Sequence, residues 1–429
     1  VSGEGTAWLA GLRNFESDRR VTKSPLADTE MLLEKLSDPH RAYKVIHVAG
    51  TNGKGSVVAF LEALLLDAGF RVGAYTSPHL CDLTERIRVN QEAISWDALD
   101  QELTVLQQLC RAFSLSAPTH FEALTVAALS WFASEGIEIA IVEVGLGGME
   151  DATNVVQADV AVITSIASDH LEQLGPTLAD VTRHKLGIVK DSSVVVLGTV
   201  PQEVEGEVLE LLKERESYLW GRDIEVEERL TGVGGQIVKM TTPKGKKVVG
   251  LSRMGQSAAQ AAVLAATAAE VLTARAVSEE RLGRASQACL LPGRFEVVGY
   301  HPVLLVDTAH NLAALRLLAE TVLEVFGADM RWKVVLGFTH NRNPVELWGG
   351  LADLDVTEVA GVDVGVPVSG MRAAVEASGV AFVERDLSWV SPESLADWAG
   401  REEDAGVIVT GSHLLVSRLI CQGGEEPAR

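Results

Sequence analysis

Lys54 stands in the stretch Lys44–Ser56, Lys-Val-Ile-His-Val-Ala-Gly-Thr-Asn-Gly-Lys-Gly-Ser, whose residue types suggest phosphate chemistry. Backbone N–H groups left unpaired at a helix start, together with the helix dipole, favour an anion, and glycines let it approach the main chain. Lys54 would set a positive charge against the outer phosphates, and Ser56 would bring a hydroxyl close to Mg²⁺. The usual spelling has Ser or Thr directly after the lysine. Here Gly55 intervenes, so the motif alone also fits an ordinary strand-turn-helix corner packed on glycines. A nucleotide loop calls for hard oxygen ligands at neighbouring strand ends. Glu143 has that placement, closing an apolar run and followed by Gly145, Gly147 and Gly148; its alternative is a solvated acid at a strand end. His170 follows Asp169 just beyond another apolar run, where a lone histidine is otherwise structural. Lys185, in Arg183-His184-Lys185-Leu186-Gly187, reads by itself as a helix-end cation.

The elements that must position these groups alternate between strand and helix. Val45, Ile46 and Val48 read as a buried strand, Gly50–Gly55 as a glycine-rich turn and Val57–Asp67 as a helix ending at Gly69. Residues 6–36 read as helical around a break at Lys23–Pro25. Arg71–Thr76 is a second strand, followed by the loop Ser77–Leu80 and helices to about residue 134. Continuous apolar runs at Ile137–Val144, Val160–Ser165 and Val194–Gly198 predict a parallel sheet covered on both faces. Asp223–Leu251 changes to short alternating segments, a small antiparallel insert, and 257–273 is an alanine-rich helix. After a linker at Leu290–Arg294 come strands at Val303–Val306, Lys333–Gly337, Val356–Val362, Val380–Val383 and Val407–Thr410, separated by helices near 312–326, 344–352, 371–378, 392–400 and 413–420. The expected fold class is α/β: a P-loop nucleotide-binding domain over residues 1–292 and a smaller Rossmann-like domain over 293–429, with a cleft between them where ligands bind.

Composition narrows the partners. With 429 residues, 47% hydrophobic and 22% charged, the chain can bury two large cores. A formal charge of −22 argues against nucleic acid and anionic membranes, so an anionic substrate would need a local basic pocket. Cys81, Cys110, Cys289 and Cys421 are scattered and form no CxxC pair, which reads as buried free thiols in a reducing cytosol. With no bilayer-length apolar run and a mixed, charged Val1–Arg20, the expected location is cytoplasmic.

Eight motifs occur in order: Gly50–Ser56, Thr76–Leu80, Glu85–Val89, Phe121-Glu122, Glu143–Gly148, Asp151–Asn154, Pro292–Phe295 and Asp307–Asn311. Together they resemble the folylpolyglutamate synthase and dihydrofolate synthase family, relatives of the Mur ligases, over nearly the whole chain. The resemblance implies an ATP-dependent ligase that activates a pteroate or folate carboxylate as an acyl phosphate and joins it to the amino group of L-glutamate. By position, Thr51, Asn52, Gly53, Lys54, Gly55 and Ser56 match the ATP phosphate loop, and Gln260, Arg294 and Asp307 match further ATP contacts. Ser77, Glu143 and His170 match magnesium ligands, with two Mg²⁺ sites implied, and Lys185 matches a lysine that becomes carbamylated. Lys54, His170 and Lys185 are thereby the implied catalytic set. Thr119, His120, Phe121, Glu122, Glu150, Asp151 and Ala152 match pteroate-contacting segments, and His310 and Asn311 glutamate or nucleotide contacts. A monomer is implied, with dihydropteroate or reduced folate, glutamate and ATP as small-molecule partners.

Departures from the family pattern gather where substrates would sit. Met149-Glu150 replaces Arg-Leu, Pro25–Asp28 lacks an arginine, Gln260 replaces an asparagine, Leu312 a proline, and Asn341-Arg342-Asn343 stands for Asp-Lys-Asp. The phosphate loop, Ser77, Glu143, His170 and Lys185 are untouched. A member ligating an amino acid to a non-folate carboxylate is therefore the competing enzyme reading, and a nucleotide-binding protein without ligase activity the competing reading of another class.

Overall fold

A computed structural model describes residues 3–14, 26–339, 342–400 and 405–421. The expected break at Lys23–Pro25 and the departures at Pro25 and Asn341 lie outside them. The first sheet has eight strands: β1 (Lys44–Ala49), β2 (Val72–Tyr75), β3 (Ile87–Val89), β4 (Glu92–Ala93), β5 (Ile139–Glu143), β6 (Val160–Ser165), β7 (Val194–Thr199) and β8 (Ser217–Leu219). Their spatial order is β4-β3-β2-β5-β1-β6-β7-β8, and every pair from β2 to β8 is parallel. The order reverses around β1, so the loop after β1 opens at a crevice between diverging connections, where such sheets bind ligands.

The apolar runs produce this sheet because both its faces are covered. Ile46, Val48, Ile141 and Val162 pack with the helices Lys54–Asp67 and Gly255–Thr273, while Val45, Ala140 and Val142 pack with Trp96–Ala112 and His120–Ser134. One expectation fails at the edge. Residues after the Ser77–Leu80 loop form the antiparallel pair β3–β4 before any long helix starts. Its turn, Asn90-Gln91, has φ of 54° and 67°, a mirror-image hairpin turn without the glycine that usually signals one.

The insert is as expected: β9 (Glu225–Gly232), β10 (Gly235–Thr242) and β11 (Gly245–Leu251) form an antiparallel sheet in the order β11-β10-β9. Its inner residues Val238, Met240, Val249 and Leu251 join the core around Gly255–Thr273. The second large sheet comprises β12 (Glu296–Tyr300), β13 (Val303–Val306), β14 (Arg331–Leu336), β15 (Val356–Val362), β16 (Ala381–Arg385) and β17 (Ala405–Thr410), in the order β12-β13-β17-β14-β15-β16. Only β12 runs antiparallel, a strand the periodicity does not announce because it is short and half-exposed.

The two units touch at several points. Gly255 lies so close to the helix Leu312–Phe326 that a Cβ there would sit 2.5 Å from Thr321 Oγ1, and Arg229 forks onto Glu324 at 2.8 and 2.6 Å. Leu80, from the Ser77 loop, is buried in the core of the second unit.

Beside it lies a correction. Cys81 and Cys421 form a disulfide, with Cα atoms 5.4 Å apart, between the first unit's loop and the end of the helix His413–Ile420; Cys110 and Cys289 are buried thiols. A separation of 340 residues leaves no sequence signature of such a pair. Closing so long a loop restricts the unfolded chain, an effect of about 2–4 kcal/mol for typical disulfides. A reductant should therefore lower the thermal midpoint of the wild type and leave Cys421→Ser unmoved at the lower value. A reductant-insensitive wild type would contradict the bridge.

Candidate active site

The phosphate loop is held by the end of β6. Gly50 has φ of 150°, and a Cβ there would lie 1.9 Å from Thr164 Oγ1; Gly53, at φ 84°, is the N-cap of the helix Lys54–Asp67. Thr51 N–H donates to the Ser165 carbonyl (2.9 Å), Asn52 N–H to Ser165 Oγ (3.1 Å), and the Thr164 hydroxyl to the Asn52 carbonyl (2.6 Å). Thr51 Oγ1 accepts from Ala167 N–H, so its hydroxyl braces the loop. Lys54 Nζ donates to the Gly50 carbonyl at 3.2 Å, which sets the ammonium back over the turn, and Ser56 follows in the helix's first turn.

Two clusters flank Lys54. In the first, Glu143 at the end of β5 is 4% exposed, and its Oε2 accepts from Ser77 N–H at 3.4 Å. Burial pushes its carboxyl pKa up, opposed by Lys54, Arg294 and Arg88. Gly55 faces this acid, since a Cβ on it would make ordinary contact with Glu143 Oε2 at 3.7 Å. The Ser77 loop is pinned by Glu85, whose carboxylate accepts from the N–H groups of Leu80, Cys81 and Asp82.

In the second, His170 has φ of 54° and lies beside Asp169, Nε2 to Oδ2 3.8 Å. Burial lowers its pKa to about 4, with Arg342 and Lys54 adding to the shift against Asp169, so the ring is neutral near pH 7. Asp169 is held well below the usual carboxylate range despite its burial, by His170 and by Arg342, whose Nη1 donates to Oδ1 at 2.7 Å. Asn311 Nδ2 donates to Asp169 Oδ2 (3.1 Å) and to Asn52 Oδ1 (2.9 Å), so the second unit clasps both the phosphate loop and this acid. Lys185 is 5% exposed, its pKa pushed down to about 7 by burial and then by Lys54.

The second unit also contributes His310, Arg294, Asp307 and His413. His310 Nδ1–H donates to the Thr308 carbonyl at 2.8 Å, and burial followed by Arg342 lowers its pKa to about 4. Asp307 accepts from the N–H groups of Phe295 and Ala309, both at 2.7 Å, and so ties the linker to the end of β13; burial pushes its pKa up. Gln260 Nε2 donates to the Thr164 carbonyl (3.1 Å) and lines a cavity of about 180 Å³ with Asn52, Gly53, Thr199, Ala313 and Leu317. That cavity has walls from both units.

The expected substrate segments divide. Phe121 packs over Gly145 and against Tyr75, rings 5.9 Å apart, and Glu150 beside Met149 is exposed. Thr119 and Glu122 instead cap their helix reciprocally and are buried, with His120 at the helix start. Asp151, 3% exposed, accepts from the N–H groups of Leu146 (2.8 Å) and Thr153 (3.0 Å), and Ala152 opens a buried turn. The Thr119, Glu122 and Asp151 side chains are thus engaged in holding their own helix start and turn. Asp169 and His413 carry no motif that singles them out, and only their strand-end positions after β6 and β17 could have raised them.

Among the described residues, no three His, Cys, Asp or Glu side chains converge as a metal cage. Mg²⁺ needs none: it takes one or two protein ligands and completes its shell with phosphate oxygens and water. The buried carboxylate of Glu143, with the Ser77 backbone against it, and the neutral ring of His170 are donors of a kind that fits.

Residues 48–269 match the Mur ligase middle domain. The dihydrofolate synthase/folylpolyglutamate synthase of Bacillus subtilis is 34% identical over 343 residues, covering 77% of this chain and 78% of that one. Its counterpart in Mycobacterium tuberculosis is 30% identical over 442 residues, covering 92% and 89%. Among solved structures, M. tuberculosis folylpolyglutamate synthase complexed with ADP superposes with a TM-score of 0.85 at 29% identity, covering 99% and 100%; E. coli FolC in complex with DHPP and ADP gives 0.83 at 27%, covering 97% and 96%.

The lowered pKa of Lys185 has a stability consequence. Between about pH 7 and its ordinary 10.5 the unfolded chain binds a proton the folded chain has released, so stability rises with pH in that window, and the burial cost is full below pH 7. Lys185→Met should therefore raise the thermal midpoint at pH 6, by roughly 2–4 °C, and by less at pH 9. An equal gain at both would show that the lysine is not held in this way.

Proposed function

We propose a division of labour for the site from one premise: the chain belongs to the dihydrofolate synthase/folylpolyglutamate synthase family of Mur ligases, and it is an ATP-dependent ligase. Its reaction joins a pteroate or folate carboxylate to L-glutamate. A carboxylate is a poor electrophile, so its oxygen attacks the γ-phosphorus of ATP, ADP leaves, and the glutamate amine then attacks the acyl carbon and expels phosphate. The protein's share is positioning and charge compensation.

The observation that carries this reading is the placement of Lys54 between two clusters, with Asn311 of the second unit clasped to the loop that bears it. Backbone groups of Thr51–Ser56 cradle the phosphates, Lys54 offsets their charge, and Gln260 meets the base or ribose in the cavity beside Gly53. Arg294 and Asp307 complete the nucleotide contacts from the linker and β13. Ser77, Glu143 and His170 would hold Mg²⁺ in two positions, where it supplies charge neutralisation at the phosphates. Lys185, buried and partly neutral near pH 7, is suited to add CO₂ through its amine and so become a carbamate anion. His310 and Arg342 face the side on which glutamate enters, and Phe121 and Met149-Glu150 border the acceptor pocket. Residues 1–292 form the ATP-binding domain and 293–429 the Rossmann-like domain that closes upon it.

Phosphate release from ATP and Mg²⁺ should require both glutamate and either dihydropteroate or a reduced folate, each omitted in turn. No release with either acceptor, while ATP still binds, would redirect the enzyme to another carboxylate and point to Met149-Glu150. Lys185→Ala should lose turnover by about 10²-fold or more and regain part of it with a short carboxylic acid; unchanged turnover would refute the carbamate role.

A further inference from the structure

Arg294 stands on the irregular linker segment 289–295, where no helix or strand orients its long side chain. Its side-chain hydrogen bond among the described residues joins Nη2 to His413 Nε2, at 3.5 Å. His413, by contrast, has a stiff support. It is the first residue of the helix His413–Ile420, directly after β17 in the middle of the second sheet, and the Ser412 N-cap accepts from Leu415 N–H at 3.1 Å. Its other face lies against His310, with ring centroids 5.5 Å apart, and that ring is itself locked on the Thr308 carbonyl.

We propose that His413 is a positioning residue for Arg294: its Nε2 accepts from Nη2 and fixes the guanidinium, leaving the remaining N–H donors for the nucleotide phosphates. This rests on the reading that Arg294 contacts ATP. An arginine has five donors and no acceptor, so one of them can be given to an anchor without losing the fork that meets phosphate. The anchor must be an acceptor, and His413 meets that condition. Burial, followed by Arg294, His310, Lys54 and His79, keeps its ring neutral. A neutral imidazole can anchor a cation in a pocket built to receive anions without competing for it, which a carboxylate could not do. Arg294 also acts on both Glu143 and Asp307, so its placement bears on both units.

Calorimetric binding of a non-hydrolysable ATP analogue to the full chain tests this without any ligase assay. Arg294→Ala should weaken binding about tenfold or more, and His413→Leu about threefold to tenfold. His413→Gln, which keeps an acceptor, should bind within about twofold of the wild type, and the double variant Arg294→Ala/His413→Leu should match Arg294→Ala alone. Should His413→Leu fail to fold, His413→Met carries the same expectation. Wild-type affinity in His413→Leu beside a weakened Arg294→Ala would overturn the inference and leave the nucleotide reading standing. A loss in the double variant beyond that of Arg294→Ala would show that His413 acts independently of Arg294 and would also overturn it. No effect of Arg294→Ala would overturn both.

Discussion

The charge on Lys54 is the constraint the site is built around. One ammonium acts on the buried carboxylate of Glu143, on His170, on Lys185 and on His413, groups drawn from β5, from the loop after β6, from a separate helix and from the second unit. In a chain of net charge −22, such a concentration of cationic and neutral donor groups has to be assembled locally. The parallel sheet does this by ending β1, β5 and β6 side by side at one edge, so that the groups following each strand meet around the phosphate loop.

Contacts from the second unit supply the rest. Asn311 bonds to Asn52 and Asp169 at once, Arg342 reaches the same aspartate, and the cavity beside Gly53 takes Ala313 and Leu317 as one wall. A nucleotide bound in that cavity, as proposed, would touch both units, and their contact would then shelter phosphoryl transfer from water. The Cys81–Cys421 bridge and the burial of Leu80 join the units on the side of the Ser77 loop. The loop that carries Ser77 is therefore gripped from both ends, by Glu143 and by the second unit.

Much of this was legible in the sequence, for identifiable reasons. Strands buried on both faces read as unbroken apolar runs, and β6, β13 and β15 fall where those runs lie. The strand-turn-helix at Gly50–Ser56 and the strand-end position of Glu143 were readable from residue type and spacing, though their chemical roles were each read beside a structural alternative. The hairpin β3–β4 was not readable, because Asn90-Gln91 lacks a turn glycine, and β12 is a short edge strand. Pairing of Cys81 with Cys421, the ion pair of Asp169 with Arg342 and the contact of Arg294 with His413 join residues 340, 173 and 119 positions apart, and no local pattern encodes such meetings. Capping roles at Thr119 and Glu122 were open to a local reading, since Thr-x-x-Glu before an apolar run is a capping box.

The claim that this site phosphorylates a carboxylate before it forms an amide is tested most directly by isotope transfer. An acceptor labelled with ¹⁸O in its reacting carboxylate is ligated to glutamate, and the released phosphate is weighed by mass spectrometry. One ¹⁸O atom per phosphate is the expected result, because the oxygen that attacks phosphorus leaves with it. Amide product accompanied by unlabelled phosphate would contradict the account.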